Sequence, residues 1–312
     1  MFLYVVGMLF AGGGTEKTTS VLPTTGNFSL GTGGQTGIYY PFGGAIAELW
    51  SKNIEGVNVK AEVTAASVEN TIKVAAGTMI AGFAQANVVE QAYRGTGKFK
   101  EKLPVRVLIS LYPNLLHVLL PQKTSIRGLK DIRGKRVSLG APASGTAVTA
   151  ENILKANGLT TDDFNARYLN YSETTNAIAN GQIDVGFIVG GLGVGAVTEL
   201  ALTKDIIILS LKDEEINNFL KAQKSYNIVN VPAGVYKGVP AFRTVAIWNT
   251  LVVRKDLDEN FAYQMTKVIY ENYDYLTKVV TSARYTVPKN AQVVGTVPMH
   301  PGSMRYLNEV QK

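Results

Sequence analysis

Apolar positions along the chain switch repeatedly between short continuous runs and a helical spacing, beginning near residue 26. Runs near 57–63, 79–84 and 105–111 predict strands, with helix-spaced segments between them. "YPNLLHVLLPQ" (112–122) is a long apolar stretch with Pro113 and Pro121 near its ends. Proline disfavours helix in the residue before it, so this stretch reads as extended chain crossing from one lobe to another. "AFRTVAIWNTLVVRKDL" (241–257) is a β-rich run placed to cross back. Phe261, Met265, Val268, Ile269 and Tyr275 give 260–280 a helical spacing that would pack on the first lobe.

The pattern also repeats. "SLGTGGQTGIYYPFGGAIAELWSKN" (29–53) is echoed by "SLGAPASGTAVTAENILKANG" (138–158), each a strand closed by Ser-Leu-Gly, a Gly/Ser/Thr loop and a helix. "ENTIKVAAGTMIAGFAQAN" (69–87) is echoed by "ETTNAIANGQIDVGFIVGG" (173–191), in which a helix starting near a glutamate reaches a glycine before a strand carrying Gly-Phe. Two echoes in the same order predict two lobes of one α/β design. Two lobes joined by two crossings predict a hinged cleft.

Composition removes whole classes of chemistry. The chain has 312 residues, 46% hydrophobic and 18% charged, enough for a large core and two lobes. It has no cysteine, which excludes disulfides, thiol catalysis and cysteine zinc sites. His117 and His300 stand far apart with no metal-ligand spacing, so neither a metal nor a cofactor is expected. The net charge of +7 is scattered in ones and twos, a solvated surface and not a nucleic-acid face. "MFLYVVGMLFAGGG" is an apolar run too short to span a membrane but suited to a signal segment, followed by a Thr-rich tether. Export is therefore expected. "LFAGG" resembles a lipoprotein cleavage box whose cysteine position is Gly13, so lipid anchoring there is chemically impossible.

The glycine clusters carry the candidate site. A strand ending in glycines and feeding a helix exposes backbone N–H groups and the positive end of the helix dipole. The first loop, Gly31-Thr-Gly33-Gly34-Gln-Thr-Gly37, is not G-x-G-x-x-G, and Glu62 is poorly placed for a ribose. A dinucleotide-binding α/β enzyme is thus the runner-up. Two helix ends, one per lobe, can converge on one small anion, reinforced by the hydroxyls of Thr36, Ser144 and Thr146. Tyr39 is expected in the cleft in preference to Tyr40. Gln85 leans to ligand contact, and Asn87 is open between a helix cap and a ligand contact. Glu69 and Glu173 read as first-turn residues of helices. Arg243 is open between a ligand carboxylate and an interlobe ion pair, and His300 reads as a packing or turn residue. No GxSxG or paired-carboxylate motif is present, so an enzyme is not expected.

"GTGGQTGIYYPFGGAIAELW", "SLGAPASGTAVTAENIL", "DVGFIVGGLGVGAVTEL" and "VPMHPGSMRYLNE" together resemble the TAXI family of TRAP transporter solute receptors. That resemblance implies an α/β, two-lobed, type II periplasmic-binding-protein-like fold outside the cytoplasm. It further implies a glutamate- or glutamine-like amino acid or dicarboxylate as ligand, delivered to a TRAP membrane permease. The family's ligand loops map onto Gly33, Gly34, Thr36, Gly37 and Tyr39; Gln85 and Asn87; Ser144, Gly145 and Thr146; and Gly190 and Gly191. The expected organisation is a signal-like segment and tether at 1–25, lobe one at 26–112 plus 250–312, and lobe two at 113–249. A monomer is expected, with no nucleic-acid partner.

Overall fold

The computed structural model describes residues 22–311; the signal-like segment and most of the tether lie outside the described residues. The chain opens with β1 (Gly26–Gly31), α1 (Tyr39–Asn53), β2 (Val57–Glu62), α2 (Ser67–Ala75), β3 (Ala81–Gln85) and α3 (Ala86–Arg94). It then crosses on β4 (Val105–Pro121) into β5 (Arg136–Ser138), α4 (Gly145–Ala156), β6 (Asn165–Arg167), α5 (Tyr171–Ala179) and β7 (Val185–Gly190). The second lobe continues through α6 (Gly195–Thr203), β8 (Ile206–Ile208), α7 (Asp213–Ala222) and β9 (Asn227–Val231). The return crossing is β10 (Phe242–Arg254), followed by α8 (Glu259–Glu271), α9 (Tyr273–Val279) and α10 (Pro301–Val310).

The strand order is β2-β1-β3-β10-β4-β7-β5-β6, with β8 on β4 and β9 on β10. Read inward from either edge, it has the same grammar: three parallel strands, then a long antiparallel one. Asn249–Val253 of β10 pair with β3, while Leu115–Leu119 of β4 pair with β7. Between these stretches β4 and β10 lie side by side, with register shifts at Trp248/Thr250 and Leu251/Val252. The stretches expected to cross between lobes are therefore the two longest strands, and β4 alone would span roughly 55 Å at the usual strand rise.

The two sequence echoes are two copies of one packing solution. Helix α2 lies so close over β3 that a Cβ on Gly82 would sit 2.8 Å from Asn70 Cβ. Helix α5 lies over β7 in the same way, and a Cβ on Gly186 would sit 2.6 Å from Thr174 Cγ2. Each helix runs out at a left-handed glycine, Gly77 (φ 77°) and Gly181 (φ 68°), a conformation that costs other residues about 1–2 kcal/mol.

Core formation follows helix periodicity. On α1, Phe42, Ile46, Leu49 and Trp50 are buried at i, i+4, i+7 and i+8, and Trp50 Nε1–H donates to the Met265 carbonyl at 3.0 Å. That bond ties α1 to α8, whose Phe261, Met265, Val268 and Ile269 face the same cluster. The helical spacing read across 260–280 is broken at Asn272, which separates α8 from α9. A second cluster, around Ile178, Ile188, Val197 and Tyr236, fills the other lobe. A third, from Val88 and Val107 to Leu116, Ile153 and Phe219, runs across both.

Candidate functional site

A cavity of about 280 Å³ lies where the two lobes meet. The first lobe contributes the glycine loop after β1 with the start of α1, the Val63–Ser67 segment entering α2, and Gln85 at the end of β3. The second contributes Ala141 and the start of α4, Asn170 and Tyr171 at the start of α5, and Val189–Gly191 at the end of β7. Tyr112 and Asn114 come from the middle of β4, at the crossing itself.

The lobes touch around this cavity. The Ala143 carbonyl accepts from the Val68 and Glu69 N–H groups at 3.1 and 3.3 Å. The Thr36 carbonyl accepts from the Ala196 N–H at 3.2 Å. Each lobe thus presents a carbonyl to the N-terminal turn of a helix in the other, α2 and α6 respectively. Such turns carry N–H groups with no acceptor inside the helix, so the contact satisfies them. Thr149 Oγ1–H donates to Gln85 Oε1 at 3.0 Å, and Lys98 pairs with Glu151 at 2.6 Å, both across the same divide. Two of the cavity glycines leave little room for a side chain. A Cβ on Gly145 would sit 2.6 Å from Gln85 Cδ and Ser67 Oγ, and one on Gly191 would sit 2.5 Å from Ile38 Cδ1.

At the start of α4, Ser144 caps the helix by accepting from the Ala147 N–H at 3.0 Å. The amides of Gly145 and Thr146, both in the cavity wall, are left without an intrahelical acceptor. At the start of α1, Ile38 offers no side-chain cap, so the first-turn amides at Tyr39 are open too; Pro41 has no N–H to satisfy. Both helix ends can therefore donate to an anion.

Among the described residues no lining residue carries a formal charge at neutral pH: the wall is glycine, alanine, hydroxyl, amide and apolar side chains. Its tyrosines are held neutral. Burial, then the neighbouring Tyr171, raises Tyr39 far above the ordinary phenol range, and burial pushes Tyr171 up to about 12. Tyr171 O–H donates to the Val189 carbonyl at 2.7 Å, and its oxygen lies 3.1 Å from Thr146 Oγ1. Behind the wall a relay fixes the loop after β7. His117 Nδ1–H donates to the Ile188 carbonyl at 3.3 Å, Tyr236 O–H donates to His117 Nε2 at 2.9 Å, and the Gly193 N–H donates to Tyr236 Oη at 3.0 Å. Burial drives the His117 pKa down to about 4, which keeps the ring neutral for this relay.

Of the residues singled out from sequence, Gly33, Gly34, Gly37, Tyr39, Gln85, Ser144, Gly145, Thr146, Gly190 and Gly191 all line this cavity. Thr36 and Asn87 do not. Thr36 turns to the other lobe's surface, where its Oγ1 lies 3.1 Å from Ser172 Oγ beside a separate groove. Asn87 sits in the first turn of α3 behind the cleft; Gln85, not Asn87, holds the cap position, and the Asn87 amide has no hydrogen-bond partner among the described residues. Glu69 and Glu173 do stand in first turns, of α2 and α5. Arg243 pairs with Asp213 on the surface, and His300 is a buried cap of α10. Ser67, Asn114 and Tyr171 were missed. Ser67 and Tyr171 each stand two residues before a repeated glutamate, so a slightly longer echo would have reached both. Asn114 is the lone amide in an apolar strand run, a signal in itself.

Two α/β lobes of this topology, closed by two crossing strands around a cavity, define a two-lobed type II periplasmic-binding-protein-like fold. The component of an ABC phosphonate transporter from Pseudomonas aeruginosa superposes with a TM-score of 0.56 at 12% identity, covering 84% of this chain and 80% of that one. PhnD1 from Prochlorococcus marinus, solved with methylphosphonate, gives 0.54 at 14%, covering 84% and 91%. The periplasmic aliphatic sulphonate binding protein SsuA from Escherichia coli gives 0.50 at 15%, covering 90% and 78%. In sequence, the chain belongs to the NMT1-like family, which matches residues 30–310. That match corrects the TAXI assignment: the family found is NMT1-like, and the similar structures include ABC-transporter binding proteins instead of TRAP receptors. The glycine-loop blocks describe the shared fold, and so they do not discriminate between transporter classes.

Proposed function

We propose that this is an extracytoplasmic solute-binding protein that holds one small carboxylate-bearing ligand between its lobes and passes it to a membrane permease. The observation that carries the reading is the cavity closed between two lobes, with the open amides of Gly145 and Thr146 in its wall. Among the described residues the wall offers no nucleophile paired with a base, so binding without chemistry is the reading we adopt. The TRAP-type permease came only with the TAXI resemblance and falls with it; a permease as such is the inferred partner. We place the lobes at 26–112 plus 250–312 and at 113–249, with β4 and β10 as the hinge.

Thermal shift against amino acids, carboxylates, sulfonates, phosphonates and NAD is the direct test. A ligand at a hundred times its dissociation constant stabilises the folded state by about 2.7 kcal/mol. One or a few carboxylate hits are expected. A response to NAD alone would transfer the assignment to a dinucleotide enzyme, and a response to phosphonates or sulfonates alone would replace the carboxylate.

A further inference from the structure

The cleft wall is uncharged, and positive charge gathers at the far end of lobe one. From Arg94 to Arg106 the chain carries five basic residues against one acidic, Glu101. Arg94, Lys102, Arg106 and Lys255 line a hollow of about 650 Å³ there, and among the described residues none of its lining is acidic. The fold assembles this group from three segments. Helix α3 ends at the left-handed Gly95 (φ 69°), and the Leu103 N–H donates back to the Ala92 carbonyl at 2.8 Å, which returns Lys102 to the helix end. Arg106 stands opposite Val253 of β10, with its guanidinium 5.6 Å from the centre of the Tyr93 ring. The Lys255 N–H donates to the Pro104 carbonyl at 2.7 Å, which brings in the end of β10. Arg94 is paired with Glu90 at 2.9 Å. Lys102, Arg106 and Lys255 take part in no ion pair among the described residues. Cations gathered in this way repel one another, and an anionic surface laid against them would relieve the repulsion.

The position of the hollow points to the surface. Strand β10 is antiparallel to both β3 and β4, so β4 runs parallel to β3 and β1. Val105 and Gly26 therefore lie at one end of the lobe, while Gly31 and Gln85 lead into the cleft at the other. The described chain also begins at the basic end. A Cβ on Gly77 would sit 3.3 Å from Leu22 Cδ2 and 2.7 Å from Nη1 of Arg254, the residue before Lys255. The apolar N-terminal run ends at Phe10. The chain from there to Leu22 spans at most about 40 Å when fully extended. An N-terminal run that enters a membrane would hold this end of lobe one within that reach of it.

We infer that the hollow lined by Lys102, Arg106 and Lys255 docks on the anionic headgroups of a membrane. Lobe one then rests on the membrane by the end away from its cleft, and the cleft faces the solution from which solute arrives. The contact is electrostatic and independent of which solute the cleft takes.

Co-sedimentation of the full chain with vesicles tests this. The probes are vesicles of phosphatidylcholine alone and of phosphatidylcholine with phosphatidylglycerol in roughly equal amounts. The neutral vesicles measure whatever the apolar N-terminal run contributes. The mixed vesicles should bind at least about tenfold more tightly, and NaCl at about 1 M, where the screening length is about 3 Å, should remove the difference. Lys102→Gln, Arg106→Gln and Lys255→Gln combined should weaken binding to mixed vesicles at least about tenfold, with circular dichroism unchanged. Lys204→Gln, Lys221→Gln and Lys237→Gln remove the same charge from exposed positions of lobe two and should change it by less than about threefold. The chain has no cysteine, so single labels report the orientation. A polarity-sensitive fluorophore on Thr96→Cys, in a residue exposed beside the hollow, should shift to the blue on mixed vesicles, and one on Val63→Cys, at the cleft, should not. Equal binding to both kinds of vesicle, equal losses in the two triple variants, or a shift at Val63→Cys alone overturns the inference. Full release by free glycerol phosphate at constant ionic strength would make the hollow a pocket for small anions and overturn the membrane assignment. None of these outcomes bears on solute binding, which stands or falls separately.

Discussion

Helices α2 and α5 occupy equivalent places in the two copies of the repeat, yet their N-termini are finished in different ways. Helix α5 closes its own end: Asn170 Oδ1 accepts from the Glu173 N–H at 3.0 Å, and Glu173 accepts from the Asn170 N–H at 2.8 Å. Helix α2 has no side-chain cap; its Val68 and Glu69 amides go to the Ala143 carbonyl of the opposite lobe. One copy is complete within its lobe, and the other is completed by closure. The shared glycines give both lobes the same fold. The unshared caps decide which helix end takes a backbone carbonyl of the other lobe: α2 does, whereas α5 meets the other lobe through side chains, Ser172 against Thr36.

The largest expected effect separates the lobes by pH. The His117 relay belongs to the second lobe, and burial lowers its pKa from 6.5 to about 4. A depressed pKa means that the unfolded chain binds the proton first as pH falls. The stabilisation is therefore complete above pH 6.5 and is lost progressively down to about 4, by about 3 kcal/mol. Unfolding in urea at pH 7 and pH 4.5 should show this loss, and His117→Gln should remove most of its pH dependence. His300 is lowered in the same direction by burial, and it adds to the residual slope together with the carboxyls of Glu69, Asp163, Asp184 and Asp256, which hydrogen bonds and neighbouring cations hold below their ordinary range. Parallel pH curves for parent and variant would mean that the relay does not hold the neutral ring.

Next in size are the glycines under the equivalent helices. Gly82→Ala and Gly186→Ala each place a methyl within 3 Å of the helix above. Overpacking of this kind costs about 1–3 kcal/mol. Both should lower the urea midpoint by similar amounts. Tolerance at one site and loss at the other would break the equivalence of the two copies.

These positions also show what could be read from sequence. Gly82 and Gly186 carry the repeat in their own letters, because close helix approach leaves no alternative to glycine. The crossing strands were legible in the long apolar runs bounded by prolines or charge. Asn114 was harder, since its partner Asn249, itself held by the Tyr112 carbonyl, meets it only once β4 and β10 lie side by side. Thr36 and Asn87 misled for a related reason. Thr36 adjoins Gly37 and Asn87 stands two residues after Gln85, but a tight loop and a new helix turn nearby side chains away from one another. Family membership was least legible, because glycine loops at helix ends recur wherever this fold binds an anion.

The two glycine loops should respond unequally. Gly145→Val drives a branched side chain against Gln85 and Ser67 where the lobes meet. Affinity should fall at least tenfold, about 1.4 kcal/mol, with circular dichroism unchanged. Gly34→Ala meets nothing within 4 Å and should leave affinity within about twofold. Calorimetry on both variants with the best ligand of the panel decides the matter. Equal losses would mean that the first loop is as tightly confined as the second.

The smallest effects return to α2 and α5, and they should differ in sign. Asn170→Ala removes the cap of α5 and should lower stability by about 1 kcal/mol. Ala66, the residue before α2, is held at φ 78° and ψ −134°, a region that normally only glycine enters, at a cost of about 1–3 kcal/mol to others. Ala66→Gly releases that strain but adds freedom to the unfolded chain, which offsets about 0.4–1 kcal/mol of the gain. At the low end of that strain, about 1 kcal/mol, a net rise in stability of under about 1 kcal/mol should remain. Urea unfolding of the ligand-free protein reads both. If Ala66→Gly lowers the midpoint as Asn170→Ala does, the left-handed turn before α2 is not strained. Closure of α2 by the opposite lobe would then draw nothing from its entry geometry.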